Sequence, residues 1–303
     1  MDAVIINKEL SAVLGGLMKR YRERVRDVGA IVQAMIREGI IVDEFDIEND
    51  HIAFRSLGAP HLGVASLEKI FLHFGYQKRD YYYFPEKKLN AWWYSPPVEG
   101  LPRIFISELR VGDLSPAAQN IIHSYTRDIS QDPVDKLDMG DIAAIERYLH
   151  SSSWAVPTLS DYEALAQESE YAAWVIYNRY YLNHFTLSVH NLKEGYNTLG
   201  QFNSFLERNG VLLNDSGSVI KQSPDGLLLQ SSTVAERVEA LFAGGERKMI
   251  PGSYVEFAER RVLDKFKALP AEDIRAWHRR EGFEAANADK IFESTYLDQV
   301  GKR

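Results

Sequence analysis

Cysteine is absent from all 303 residues of the chain. Without it the protein can form no disulfide, carries no thiolate nucleophile and offers no sulfur ligand to a metal. A metal site in this protein would therefore have to be built from histidine, aspartate and glutamate side chains.

Long apolar runs and an excess of positive charge are also missing. No apolar stretch approaches the ~18 residues of a membrane-spanning helix, and the N-terminus lacks the basic and apolar segments of a signal peptide. We therefore expect no membrane association and a cytoplasmic location. The formal net charge of −8 argues against a general nucleic-acid binder, because phosphate contacts need clustered lysine and arginine. These absences indicate no particular oligomeric state.

Hydrophobic residues make up 45% of the chain, enough for a sizeable core and for one domain across residues 1–303. The apolar spacing predicts helical elements at the N-terminus, in the middle and at the C-terminus. They cover residues 9–37 with a break at Gly29, 113–127 with Ser115 as N-cap before a proline, 161–180, and the tail from residue 271 with a break at Gly282.

Two stretches, about 50–111 and 183–261, repeat the same order of elements: strand, helix, strand, strand, strand. The first has strands near 50–54, 81–84, 89–94 and 103–110 around a helix at 66–74. The second has strands near 183–187, 218–222, 227–231 and 253–261 around a helix at 198–208. Each stretch opens with a polar residue and a histidine, Asp50-His51 and Asn183-His184, followed by a mostly apolar run. An internal repeat of this size governs the fold prediction.

The predicted fold is α+β, with two βαβββ modules forming a curved sheet, and it resembles the vicinal-oxygen-chelate architecture. In that architecture the first and fourth strands of each module lie side by side at the centre around a metal. Ligands would then come from the starts of the first strands and from the fourth strands. In this sequence those places hold His51, Glu108, His184 and Glu256.

His51, His184 and Glu256 together would supply two imidazoles and one carboxylate to a metal. Such a set leaves coordination positions open for substrate and dioxygen, as in non-haem iron(II) oxygenases. Each residue also has a plainer interpretation: a lone histidine more often fills a core or a surface, and the strand face of Glu256 could simply be solvated. For Glu108 we favour a place behind the ligands or in the pocket wall over direct ligation.

Two further polar residues are candidates for substrate binding. Arg55 follows His51 by four residues, so both would share one face of a strand, and a guanidinium pairs well with a substrate carboxylate. A surface salt bridge is the alternative for Arg55. Gln230 ends the apolar run Leu227-Leu228-Leu229 and either points into a pocket or marks the strand exit.

Short motifs distributed along most of the chain resemble the 2-oxoadipate dioxygenase/decarboxylase family. They are His51-x-x-x-Arg55, Asn183-His184-x-Thr186, Ile250-Pro251-Gly252-Ser253-Tyr254-Val255-Glu256-Phe257, and in the tail Gly282-Phe283, Ala286-Asn287 and Ile291-Phe292-Glu293. The resemblance implies a mononuclear Fe(II) held by His51, His184 and Glu256, with Arg55 on a substrate carboxylate. It also implies conversion of 2-oxoadipate and O2 into 2-hydroxyglutarate and CO2, a step of lysine breakdown.

Two other functions remain open from the sequence. A protein of the same fold could be an isomerase, lyase or hydrolase that uses Zn, Ni or Mn, any of which could also occupy the site as purified. A non-catalytic small-molecule-binding protein could keep the pocket without the chemistry, because a fold does not dictate a function.

Overall fold

The computed structural model of the chain describes residues 3–151 and 153–303, with side chains from residue 8 onward. Its α-helices lie at the N-terminus, between two groups of strands, and at the C-terminus. Their bounds are α1 Ala3–Arg24, α2 Arg26–Arg37, α3 Val64–His73, α4 Pro116–Thr126, α5 Ile142–His150, α6 Leu159–Glu168, α7 Glu170–Asn178, α8 Leu199–Arg208, α9 Ala285–Phe292 and α10 Leu297–Val300.

Eight strands form one strongly curled mixed sheet, and two more form a separate hairpin. The strands are β1 Asn49–Leu57, β2 Gln77–Phe84, β3 Leu89–Ser95, β4 Arg103–Leu109, β5 His184–Ser188, β6 Lys221–Gln222, β7 Leu228–Ser232, β8 Arg237–Leu241, β9 Arg247–Pro251 and β10 Tyr254–Arg260. The order across the large sheet is β2-β3-β4-β1-β5-β10-β7-β6, and β8 pairs with β9.

The large sheet consists of two similar halves. In each half the first strand runs parallel to the last one, β1 with β4 and β5 with β10. Strands β1 and β5 pair antiparallel and so join the halves at the centre of the sheet. This arrangement confirms the predicted α+β fold of two βαβββ modules whose first and fourth strands are neighbours.

The central strands are buried on both faces. Every position of β5 and β10 is buried, and so is every position of β1 after Asn49. On one face, Phe71 of α3 packs on Phe54 and Phe202 of α8 packs on Phe257. On the other face, α7 contacts β1, and its Tyr171 and Trp174 rings lie beside Arg55.

Helix α9 marks the concave side of the sheet. It contacts β2 at one end of the sheet and β6 and β7 at the other end. So short a helix reaches both ends only because the sheet curls into a half-barrel. The C-terminal tail therefore closes the concave face.

Several predicted elements differ in detail from the structure. The N-terminal helix breaks at Val25, which has extended backbone angles, and Gly29 lies inside α2 instead. The helix predicted over 161–180 is two helices, because Ser169 ends α6 and caps α7 through its side chain. Helix α5 and the β8–β9 hairpin were not predicted. By contrast, Ser115 caps α4 as predicted, accepting a hydrogen bond from the backbone N–H of Ala118.

Within the described part of the chain, every helix is too short or too polar to cross a lipid bilayer.

Candidate metal centre

Three neighbouring central strands carry polar side chains in one row across the concave face. His51 of β1 pairs with Thr186 of β5, and Thr186 pairs with Glu256 of β10. His184 lies two residues before Thr186, opposite Tyr254. Since paired residues point to the same face of a sheet, His51, His184 and Glu256 converge on one point.

The side chains of His51, His184 and Glu256 form a buried cluster. Nε2 of His184 lies 3.1 Å from one carboxylate oxygen of Glu256, and Nε2 of His51 lies 3.5 Å from the other. The two Nε2 atoms are 3.3 Å apart. One nitrogen or oxygen atom from each of the three side chains lies within 4.8 Å of the others, so a single cation can contact all three.

The residue before each histidine orients its ring. Nδ1 of His51 lies 2.7 Å from Oδ1 of Asp50, and Nδ1 of His184 lies 3.1 Å from Oδ1 of Asn183. Both oxygens are acceptors, so each neutral ring carries its proton on Nδ1 and presents the lone pair of Nε2 to the cluster. Metal-binding histidines are commonly held in this way.

Two side-chain amides, those of Gln230 and Asn287, hold the Glu256 carboxylate in place. Nε2 of Gln230 donates to Oε1 of Glu256 at 2.7 Å, and Nδ2 of Asn287 in α9 donates to Oε1 of Gln230 at 3.0 Å. Gln230 thus points into the cavity and does not mark a strand exit. Its side chain bonds Glu256 and Asn287.

The cluster is electrostatically suited to a cation. Burial would raise the pKa of Glu256, but the charges of His51 and His184 hold it well below its usual range. Burial would lower the pKa of His51, yet the Glu256 and Asp50 carboxylates together outweigh burial and raise the pKa. Burial lowers the pKa of His184 below its ordinary value. A buried carboxylate thus draws positive charge to the point where the two imidazoles meet, which a divalent cation could supply in place of a proton.

The donor chemistry fits a metal. Two imidazole nitrogens and one carboxylate are ligands that iron, zinc, nickel and manganese all accept. The structure therefore provides a buried His-His-Glu group that could bind a metal, and it does not distinguish between these ions.

Arg55 lies on the same strand face as His51 and is fully buried, with 1% of its surface exposed. Its guanidinium donates to Oγ1 of Thr295 at 2.9 Å and to the carbonyl of Phe292 at 3.0 Å. Its Nε has no hydrogen-bond partner, and no carboxylate among the described residues forms an ion pair with it. The surface salt bridge considered as its alternative role is therefore not what the structure shows.

Glu108 lies away from the cluster, and its predicted equivalence with Glu256 is wrong by three residues. Glu256 lies two residues after Tyr254, the strand partner of His184. In the first module the strand partner of His51 is Arg103, and the residue two positions after it is Phe105. Glu108 pairs with Ser56 farther along β1, and its carboxylate accepts from the backbone N–H of Val64 at the start of α3 at 2.9 Å.

The cavity beside the cluster is small and mostly apolar. Its volume is about 20 Å³, room for roughly one water molecule. The tail supplies its cover, with Phe283, Ile291 and Phe292 lining it together with Phe105. Phe283 packs edge-on against His51, with ring centroids 4.7 Å apart.

No role was predicted for Asp50, Asn183, Thr186, Tyr254 or Phe283. The polar residue before each histidine was visible as part of the repeat, and that pattern could have identified Asp50 and Asn183. Tyr254, whose ring lies 4.8 Å from that of His184, is part of a quoted motif but had no geometric signal in the sequence.

Comparison with known proteins identifies close relatives. A family model described as 2-oxoadipate dioxygenase/decarboxylase matches residues 13–273. The chloroplastic 2-oxoadipate dioxygenase/decarboxylase of Arabidopsis thaliana is 46% identical, over 96% of this chain and 79% of that protein. The chloroplastic/amyloplastic enzyme of the same name from Oryza sativa subsp. japonica is also 46% identical, over 84% of this chain and 71% of that protein.

The predicted cytoplasmic location is wrong by these comparisons. The names of the two relatives, chloroplastic and chloroplastic/amyloplastic, place those proteins in plastids and not in the cytoplasm. The prediction rested on the absence of a signal peptide for secretion, which does not distinguish the cytoplasm from an organelle.

Solved structures agree with the sequence matches. The hydroxyglutarate synthase of Oryza sativa, crystallised with 2-oxoadipate, has a TM-score of 0.88 at 42% identity, covering 98% of this chain and 95% of that one. A putative glyoxalase-superfamily protein from Ralstonia eutropha JMP134, 22% identical over 89% of this chain and 83% of that one, has a TM-score of 0.69 and is similar in fold alone. From its family match and its 46% identity to two named relatives, the chain belongs to the 2-oxoadipate dioxygenase/decarboxylase family.

Proposed function

We propose that the protein is an Fe(II)-dependent dioxygenase that converts 2-oxoadipate and O2 into 2-hydroxyglutarate and CO2. The proposal rests on one observation. A buried His-His-Glu cluster and a buried Arg55, which has no carboxylate partner among the described residues, lie on the same face of the sheet. A similar chain, the rice hydroxyglutarate synthase, was crystallised with 2-oxoadipate. The family reaction would place this step in lysine breakdown.

His51, His184 and Glu256 would hold the metal. Two imidazoles and one carboxylate on one side of an iron leave room for a chelating 2-oxo acid and for dioxygen. Bound Fe(II) would supply the oxygen chemistry that both the decarboxylation and the hydroxylation require. Gln230, predicted to bind substrate, would act here mainly by holding the Glu256 carboxylate in place.

Arg55 would bind the distal carboxylate of the substrate. Positions i and i+4 of a strand lie ~13 Å apart between alpha carbons, and both side chains reach into the space between them. A six-carbon diacid held at the metal by its 2-oxo end could place its other carboxylate at this guanidinium. A carboxylate there would complete the hydrogen bonding of Arg55, whose Nε lacks a partner.

The tail would exclude water during the reaction. Phe283, Ile291 and Phe292 now leave a cavity too small for a dicarboxylate. We therefore propose that the tail moves outward to admit the substrate and packs back over it, as lids do in many enzymes. The continuous sheet across both modules supports a single functional domain over residues 1–303.

The test is an oxygen-uptake assay on protein purified without oxygen and loaded with Fe(II). 2-Oxoadipate should drive O2 consumption with equimolar 2-hydroxyglutarate and CO2, identified by mass spectrometry. Isomerisation or hydrolysis without O2 uptake would instead establish one of the other metal-dependent activities. Binding of 2-oxoadipate with no product under any metal would favour a non-catalytic role.

A further inference from the structure

A buried ion pair stands directly behind one of the two histidines. The Asp50 carboxylate lies between His51 and Arg260, and all three side chains are at most 2% exposed. Arg260 donates two hydrogen bonds to the carboxylate, from Nε to Oδ2 at 2.6 Å and from one terminal nitrogen, Nη2, to Oδ1 at 2.9 Å. The same Oδ1 is 2.7 Å from Nδ1 of His51. His51, Asp50 and Arg260 thus form one continuous chain.

The corresponding position behind the other histidine is neutral. Asn183 takes the place of Asp50, and its Nδ2 has no hydrogen-bond partner among the described side chains and backbone groups. The two modules therefore orient their histidines by the same geometry but with different charge. A carboxylate partner makes an imidazole a stronger donor to a metal than an amide partner does.

Arg260 also connects this chain to the cover of the cavity. Its other terminal nitrogen donates to the carbonyl of Arg280 at 3.0 Å and to that of Gly282 at 2.7 Å. Phe283 follows directly and packs against the His51 ring. The Arg260 guanidinium therefore fixes both the Asp50 carboxylate and the backbone just before Phe283.

We propose that Asp50 and Arg260 are positioning residues that hold His51 with Nε2 aimed at the metal and anchor Phe283 over it. The inference rests on the proposed metal site and adds residues outside it. Neither residue belongs to the group of three converging donors, so both act through His51 and the tail. The pair makes His51 the more strongly donating of the two imidazoles.

The test measures metal binding and not turnover. Co²⁺ is titrated into the metal-free protein against a competing chelator, and the visible absorption of bound Co²⁺ reports the ligand field. Asp50→Asn keeps an acceptor for His51 but removes the charge, and it should weaken Co²⁺ binding roughly 10- to 100-fold and shift the spectrum, the usual size for a group behind a ligand.

Glu259→Gln is the matched control. Like Asp50, Glu259 has a buried carboxylate; it lies on β10 and is 6% exposed. This carboxylate accepts a hydrogen bond from the backbone N–H of Leu199 at 2.7 Å and forms an ion pair with Arg261. Its side chain leaves the opposite face of the strand from Glu256. The control loses the same charge from a comparable environment, and its Co²⁺ affinity and spectrum should stay those of the unmodified protein.

The outcomes separate this inference from the proposed function. Unchanged Co²⁺ affinity and spectrum in a folded Asp50→Asn, or an equal loss in Glu259→Gln, would overturn the positioning role while leaving the metal site intact. Failure of the unmodified protein to bind Co²⁺, or equal binding by His184→Ala, would overturn both. If circular dichroism shows Asp50→Asn to be unfolded, Arg260→Lys decides by the same two readouts, because it keeps the charge but loses the two-point grip on Asp50.

Discussion

The guanidinium carbon of Arg55 lies 5.2 Å from the ring centroid of Trp174, in an aromatic enclosure that supplies no carboxylate. Tyr171 and Phe292 complete this enclosure, at 5.1 and 5.5 Å. A buried cation held by rings and neutral oxygens is costly unless an anion joins it. This enclosure supports the proposal that Arg55 binds the carboxylate of a ligand.

Arg55→Met should weaken the use of 2-oxoadipate without emptying the metal site. The variant removes a charge-assisted contact of roughly 1.5–3 kcal/mol, so KM should rise by about 10- to 100-fold. Metal content should stay the same. The control substrate is 2-oxohexanoate, which lacks the distal carboxylate and should lose much less. Equal loss of metal and of substrate binding would give Arg55 a structural role instead.

His184→Ala should abolish stoichiometric metal binding, because it leaves only two of the three converging donors. Metal analysis of protein reconstituted with Fe(II) without oxygen, followed by desalting, measures this directly. His123→Ala provides the control, because His123 is an exposed residue of α4 and not part of the cluster. Full metal content and activity in His184→Ala would remove this residue from the site.

Phe283→Ala should destabilise the folded protein by about 3 kcal/mol, the usual cost of emptying a buried phenylalanine site. Phe283 is 5% exposed and packs against Phe105 and Trp93 as well as His51. Urea unfolding of the metal-free protein measures the change. Phe45→Ala makes the same substitution at a side chain that is 86% exposed and should cost much less. Similar losses in both variants would mean that Phe283 does not seal the cavity.

Glu293 should make stability depend on acid pH. Burial would raise its pKa, but Lys87, Ser216 and Lys290 lower it to about 2. A carboxyl whose pKa is depressed by folding stabilises the protein above its unfolded pKa, and this contribution is lost as pH falls toward the folded value. The difference in unfolding free energy between the unmodified protein and Glu293→Gln should therefore shrink between about pH 5 and pH 2.

The matched control for this pH dependence is Glu272→Gln, at an exposed carboxylate. Its difference from the unmodified protein should change less over the same pH range. A pH-independent difference for Glu293→Gln would show that the Lys87 and Lys290 contacts do not stabilise the tail.

The sequence predicted those features that local pattern encodes. Two histidines, each at a strand start after a polar residue, fixed the repeat, and the four-residue spacing placed Arg55 on the face of His51. Glu108 was misplaced because the register between β1 and β4 depends on long-range pairing, and a slip of three residues changes which side chain faces the centre. The Asp50–Arg260 pair joins residues that are 210 positions apart, so no local pattern could indicate it.

Helix boundaries show the same limit. Gly29 suggested a break because glycine is a poor helix former, yet the chain turns at Val25, where α2 leaves the axis of α1 to pack by its own apolar face. Tertiary packing outweighed the small local preference. The β8–β9 hairpin was missed because its strands are short, largely exposed and without an apolar run.

Because α9 closes the half-barrel, the central strands and the C-terminal tail determine different properties of the site. The strands supply the atoms that converge at the centre, whereas the size and polarity of the space above them are set by a handful of tail residues. Relatives could thus acquire larger, smaller or differently shaped ligands by altering the tail alone. The strands that carry His51, His184 and Glu256 would stay unchanged through such divergence.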